Sequence, residues 1–420
     1  MKANKNKKIK NSNKLEDLSL ACRLFVYILV VASLHFNQSH LQSLMISFFP
    51  KMSGQSISIK QARVHNPDLE LDLLKERLKL ESLKSRNDFY EFDKKIAMDD
   101  FFNKIHKDFK VSKDMKNRVS FWFDVYAKYD QNQHIIHHAK YPWIVFDVVD
   151  ISSIKNNMKL HRWTRYHRAN DLVKNRRKQI RKTYKKLSKL KRFDRLNSEE
   201  LRLLKLLRST PGKFRDRLRL AAKNVRSQTG QRNFFEEGLD RYSQWIHEIE
   251  NTFKKHRLPL ELTRIPFVES SYNPEATSKV GASGVWQLMP SIGKKFLRVN
   301  DKIDERNDPI LSAKAAAKLF KENKMILRKW PLAVTAYNTG PGLVKRAMRK
   351  TRTDKIHHHI DKFHAGAFGF AAKNFYASFL AALHVEKYQD RFFKIRKLEK
   401  QISKLEASNS QSLKYNQEML

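Results

Sequence analysis

Residues 264–290 read "RIPFVESSYNPEATSKVGASGVWQLMP". An apolar run ends on one acid, Glu269, and Gly, Trp and Gln follow closely. Read as one helix, 259–270 places Leu262, Ile265 and Glu269 at i, i+3 and i+7 on a single inward face. A carboxyl drawn out of water favours its neutral form, so its pKa is expected to rise. A protonated acid near neutral pH can hand a proton to a leaving oxygen. Glycosidic cleavage needs that step. A lone Glu more often caps a helix or pairs with Lys or Arg, so the neighbours decide. Ser270 and Ser271 precede the turn "YNPEA". Gly281 and Gly284 permit close approach of a ligand to the backbone. Trp286 offers a flat apolar face, suited to a sugar ring or to a core. Gln287 supplies donor and acceptor groups for hydroxyls or an N-acetyl amide. Tyr337 and Asn338 stand at a helix end ahead of Gly340.

Outward from this stretch, helix signals dominate. "LDRYSQWIHEIENTF" sets Leu239, Tyr242, Ile246, Ile249 and Phe253 on one face. Asp308 and Pro309 open an alanine-rich helix as cap and first turn, and Asp304 is read as a capping residue too. The segment 357–359, "HHH", with His364, reads as a loop near the cleft and not as a metal site, so no metal or cofactor is expected. Upstream, "LELDLLKERLKLESL" (69–83) reads as helix. The aromatic and β-branched residues 118–150 fit strands or buried helices equally. Residues 160–226 are intensely basic, with Ile180, Tyr184, Leu187 and Leu190 as an apolar stripe on a long helix that shows solvent a cationic face. The tail repeats Ile395, Leu398, Ile402 and Leu405.

The formal charge is +42 over 420 residues. Such a chain attracts polyanions: nucleic acid, anionic envelope polymers or lipid headgroups. The single cysteine, Cys22, excludes an intramolecular disulfide and a cysteine-built zinc site. A basic leader, the apolar "LFVYILVVASL" (24–34) and polar "HFNQSH" follow in the order of a secretory signal, with Val31 and Ser33 at cleavage positions. An uncleaved anchor is the other reading of this segment. Export is therefore expected, to the periplasm or cell envelope. No nucleotide-binding loop, dinucleotide fingerprint or serine-nucleophile elbow is present.

Three pieces, "LPLELTRIPFVESSYNPEATSKVGASGVWQLMPS", "DERNDP" and "AVTAYNTGPG", make residues 225–390 resemble the lysozyme-like lytic transglycosylases that cut peptidoglycan, of the membrane-bound D type. The resemblance implies a lysozyme-like helical catalytic domain over 225–392 and says little about 50–220; the residues themselves read as a mainly α fold, with a basic, mostly helical region over 37–224. Residues 1–36 would form the signal or anchor, and 393–420 a helical tail. It implies Glu269 as catalytic acid/base and Ser270 as the hydroxyl beside it. Gly284, Trp286 and Gln287 would line the cleft, with Tyr337 and Asn338 as the aromatic–amide pair. A fourth motif expects a Tyr where Phe375 stands: either Tyr376, about 100° further round the helix, substitutes for it, or that hydroxyl is absent. LysM wall-binding modules, usual in the family, are not expected from these residues, and the basic N-terminal half is expected to take over their anchoring task.

Ordinary glycosidases use two carboxylates. The matched motifs hold one, because Glu275 lies in a turn. The expected reaction is therefore lytic cleavage of the MurNAc–GlcNAc β-1,4 bond with a 1,6-anhydro product. The alternatives are a muramidase-type hydrolase on the same fold, or an inactive basic protein that binds envelope or nucleic acid. The expected partner is the peptidoglycan glycan strand, with anionic envelope polymers or the membrane surface held by the basic region.

Overall fold

The computed structural model describes residues 72–77, 90–393, 398 and 401–407. The expected leader with Cys22, Val31 and Ser33 lies outside the described residues, as do Ile395 and all of 69–83 except 72–77. Helix α1 (Tyr90–Met98) is followed by α2 (Lys116–Ala127). Two strands come next, β1 (Gln133–His138) and β2 (Val145–Asp150). The aromatic segment 118–150 is thus helix first and strand afterwards. Helix α2 buries Val119, Phe121, Trp122, Phe123, Val125 and Tyr126. A helix apolar on almost every side shows no polar stripe, which is why its period was unreadable.

The basic region begins with α3 (Arg162–Leu187), then α4 (Ser198–Leu206) and α5 (Phe214–Lys223). Ile180, Tyr184 and Leu187 are buried along α3, as the stripe required, while Leu190 lies beyond the helix end at the edge of the core beneath it. Arg162, Arg168, Lys174, Lys178, Arg181 and Lys182 face solvent. Asn197 and Glu200 close a reciprocal cap at the start of α4.

Strand β3 (Val225–Thr229) completes an antiparallel sheet in the order β2-β1-β3. Successive side chains of a strand point to opposite faces, and β1 uses both. Ile135 enters the main core and Ile136 the second core, formed with α3, α4 and α5. The expected boundary near 225 coincides with the start of β3, and β3 pairs back to His134–His138.

The C-terminal half is helical throughout: α6 (Arg232–Lys255), α7 (Ile265–Glu269), α8 (Pro290–Phe296), α9 (Pro309–Leu327), α10 (Trp330–Thr339), α11 (Pro341–Thr351), α12 (Ile356–Lys362) and α13 (Phe370–Lys387). On α6, Ile246, Ile249 and Phe253 are buried, with Leu239 and Tyr242 against the same core. The expected single helix over 259–270 is two pieces, a 3₁₀ turn at Leu260–Arg264 and then α7. Pro266 sits in the first turn of α7, where its missing N–H costs nothing, so a new helix starts there. Asp308 caps α9 by accepting from Ile310 and Leu311 N–H. Residues 357–359 belong to α12, where a loop was expected. In the tail, Leu398 and Ile402 pack on Leu73.

Helix α13 runs through the main core with nearly every residue from Ala372 to Glu386 buried. Helix α2 covers it. Arg118 Nη1 and Trp122 Nε1 donate to Asn374 Oδ1 at 2.9 and 3.1 Å, and the Tyr126 and Ser378 hydroxyls share a hydrogen at 2.6 Å. Residues on both sides of 225 therefore build one core. A fragment of residues 225–393, stripped of α2, should show no cooperative thermal unfolding by circular dichroism. A fragment of 90–393 should unfold in one cooperative step.

Candidate active site

Glu269 is the last residue of α7, and the chain turns back at once. Ser271 and Tyr272 adopt φ of 51° and 57°, left-handed values unusual outside glycine. Arg241 Nη1 donates to the Ser271 carbonyl at 2.9 Å, and the Tyr272 hydroxyl donates to the Thr263 carbonyl. Behind the turn, Arg264 is buried and bound by Glu386 at 3.0 Å, by Glu250 at 2.6 Å and by the Tyr242 hydroxyl at 2.6 Å. This network pins the start of α7, so the end of α7 has a defined position.

The Glu269 side chain is half-buried. Burial alone raises its carboxyl to about 8, with no charge or hydrogen bond contributing. That is the shift expected when the charged form loses water and gains no partner. The inward direction given to Leu262 and Ile265 also holds, since both are fully buried.

The loop 283–288 is tied to this carboxyl's surroundings at two points. The Ser270 hydroxyl donates to the Val285 carbonyl at 2.8 Å, and the Tyr337 hydroxyl donates to the Trp286 carbonyl at 2.6 Å. Tyr337, on α10, lies between Phe320 and Phe375, with ring centroids 4.7 and 6.4 Å away and nearly parallel planes. The negative charge of Glu269 pushes the Tyr337 hydroxyl pKa upward, on top of burial. Asn338 is exposed at the end of α10.

Three residues are placed otherwise than their sequence context suggested. Trp286 has no exposed surface and stacks on Phe253 at 5.5 Å, so its ring belongs to the core and is closed to a sugar. Gly284 is demanded by the protein's own backbone. It has φ +76°, and a Cβ there would lie 1.8 Å from the Arg306 carbonyl oxygen. The Gln287 amide nitrogen donates to the carbonyls of Ala276 at 2.8 Å and Gly284 at 3.0 Å, which holds the loop closed. These residues shape the wall beside Glu269 from behind.

On α13, Phe375 faces Tyr337, while Tyr376 turns toward Phe379 and feels the charge of Asp108. Tyr376 is not brought to Glu269. A tyrosine that sequence reasoning missed is: Tyr126, from α2. It is buried, its hydroxyl pKa is raised by burial and also by Glu269, and its ring lies 5.4 Å from Phe235, which stacks on Phe267 of α7 at 4.4 Å. No sequence signal pointed to it, because it precedes the recognised motifs by more than a hundred residues and sits in an aromatic run.

Comparison with known proteins adds the following. Residues 247–360 match the family described as Transglycosylase SLT domain. Over 110 residues the chain is 37% identical to membrane-bound lytic murein transglycosylase D of Escherichia coli strain K12, which is 26% of this chain and 24% of that protein. The same values hold for the protein of that name in Escherichia coli O6:H1. The chain thus spans about a quarter of the length of these two curated relatives. A solved structure, the 70 kDa soluble lytic transglycosylase SLT70 from Escherichia coli, superposes with a TM-score of 0.29 at 14% identity, covering 78% of this chain and 61% of that one. Residues 247–360, which hold Glu269, the 283–288 loop and Tyr337, are thus the part of the chain that is similar to the transglycosylase SLT domain.

Proposed function

We propose that the chain is a peptidoglycan lytic transglycosylase with Glu269 as its single acid/base. The carrying observation is the unpartnered carboxyl that burial alone raises to about 8, within the family's matched segment. Protonated at neutral pH, Glu269 gives its proton to the oxygen bridging MurNAc and GlcNAc. The bond from muramyl C1 to that oxygen breaks, and its electron pair leaves with the GlcNAc hydroxyl. The resulting carboxylate takes the proton of the muramyl 6-hydroxyl, whose oxygen bonds to C1. The product is a 1,6-anhydro ring, Glu269 is protonated again, and no water enters. Glu275, the next acid along, is exposed in a turn, so the substrate's own hydroxyl serves as nucleophile.

In this reading Tyr126 and Tyr337 are the hydroxyls that face the carboxylate formed midway. Tyr337 is committed to the Trp286 carbonyl. Tyr126 can accept from Ser378 and turn its own hydrogen toward Glu269, because either partner of that pair can donate. Ser270, Gln287 and exposed Asn338 would contact the strand. The cationic face of α3 would hold anionic envelope polymers or a membrane surface, and the N-terminal segment would direct export to the periplasm or cell envelope. Among the described residues no helix is long and apolar enough to cross a membrane.

Glu269→Gln should lower the rate of release from purified sacculi by roughly 10²–10⁴-fold while leaving the melting temperature near that of the parent. Mass spectrometry of the parent's products should show the anhydro form, lighter by one water than a hydrolytic product. Equal rates for both proteins would remove Glu269 from the chemistry. Because the free protein must carry the proton, kcat/KM should fall as pH rises through about 8. Stability should follow the same group. Between the ordinary value of 4.5 and about 8, folding takes up a proton at Glu269, so stability declines with rising pH. Glu269→Gln should flatten that decline in denaturant titrations. Tyr126→Phe should lower kcat about tenfold with little change in KM, as expected for a hydroxyl that favours the transient carboxylate.

A further inference from the structure

Arg118 is 4% exposed, yet its guanidinium finds only neutral acceptors: Asn374 Oδ1 at 2.9 Å and the Lys140 carbonyl at 3.0 Å. It lies over the Trp143 ring, 5.3 Å from the centroid. A guanidinium held out of water with no counter-ion bound to it is costly to keep. Lys373, in the first turn of α13, shares this surrounding. Its pKa is lowered by burial, then by Lys140 and Arg118. Arg118 is itself lowered to about 10 by burial. One carboxylate, that of exposed Asp361, opposes both effects. Arg226 adds a further cation above the Phe370 ring, at 4.1 Å. The positive end of the α13 dipole points to the same place. Four cations, Arg118, Lys140, Lys373 and Arg226, thus gather at one helix end against a single exposed acid.

Their position is as informative as their charge. Arg118, Trp122 and Tyr126 follow one another at i, i+4 and i+8 on α2, all bonded to α13. Eight helical residues span about 12 Å. The cationic group therefore lies two turns of helix from the hydroxyl that faces Glu269. A ligand at both places must carry an anion at about that distance from the bond to be broken. The sugars of an intact strand have no such charge, because each muramyl lactyl carboxyl is taken up in its amide bond to the peptide. The peptide stem that branches from its muramyl residues carries carboxylates.

We propose that Arg118, Lys140 and Lys373 form a carboxylate-binding subsite for the peptide stem of the strand whose glycosidic bond lies at Glu269. This rests on the peptidoglycan reading above and names the part of the substrate that the reading leaves open. The two lysines are partly exposed and can be replaced without opening the core.

The test reads binding and not cutting. The Glu269→Gln protein, which leaves strands whole, is sedimented with peptide-bearing glycan strands and with strands stripped of peptide by an amidase and then capped as amides at the lactyl carboxylates this frees. It should hold the peptide-bearing strands about tenfold more tightly, and the difference should shrink as sodium chloride is raised. Adding Lys140→Ala and Lys373→Ala should abolish the difference without changing retention of stripped strands. The paired arginine replacements should restore it. Equal retention of the two strands by the parent, an equal loss on both in the double variant, or retention that follows an added polyphosphate instead of the peptide overturns the subsite. Should the unaltered chain cut neither strand, the enzymatic reading falls, and the retention difference still decides the subsite.

Discussion

A carboxyl kept short of water and short of partners is the constraint on which the site depends. In a chain with 85 Lys and Arg residues, an acid without an ion pair is unexpected. It persists because the structure directs cations elsewhere. Arg264, the residue just before α7, is consumed by Glu250 and Glu386. Arg241 is turned to Glu237 and a carbonyl, and Arg306 to Asp304 and two carbonyls. Each nearby guanidinium is satisfied before it can reach Glu269. The raised proton affinity is thus as much a matter of where arginines are bound as of where the glutamate is buried.

Much of the site could be read from the residues alone. The apolar run into Glu269 forecast an inward carboxyl, and the two partners on its face, Leu262 and Ile265, are buried as that reading needs. Asp308 and Pro309 announced α9 through local cap chemistry, which depends on adjacent residues only. What sequence could not supply was the use of each residue type. A Gly–Trp–Gln cluster reads as a ligand wall, whereas Gly284 yields to the Arg306 carbonyl, Trp286 to Phe253 and the Gln287 amide to its own loop. Those partners are distant in the chain or are backbone atoms, and neither leaves a trace in spacing.

The same limit explains α2. Its burial on nearly all sides erases the polar stripe from which period is judged, and its closest associates, Asn374 and Ser378, come some 250 positions later. The helix that completes the surroundings of Glu269 was therefore the part of the fold least visible in advance, and with it Tyr126. The basic helix α3 was legible because its opposite faces differ so strongly in polarity.

Strand β1 carries a further implication. Its neighbours Ile135 and Ile136 serve different cores, one on each side of the sheet. Deleting a single residue within 133–138 would swap inside for outside along the whole strand and corrupt both hydrophobic interiors together. The sheet thus acts as a common register gauge. Insertions should be tolerated in the connections around the sheet and not within β1, so the C-terminal half shares the spacing constraint of the basic half.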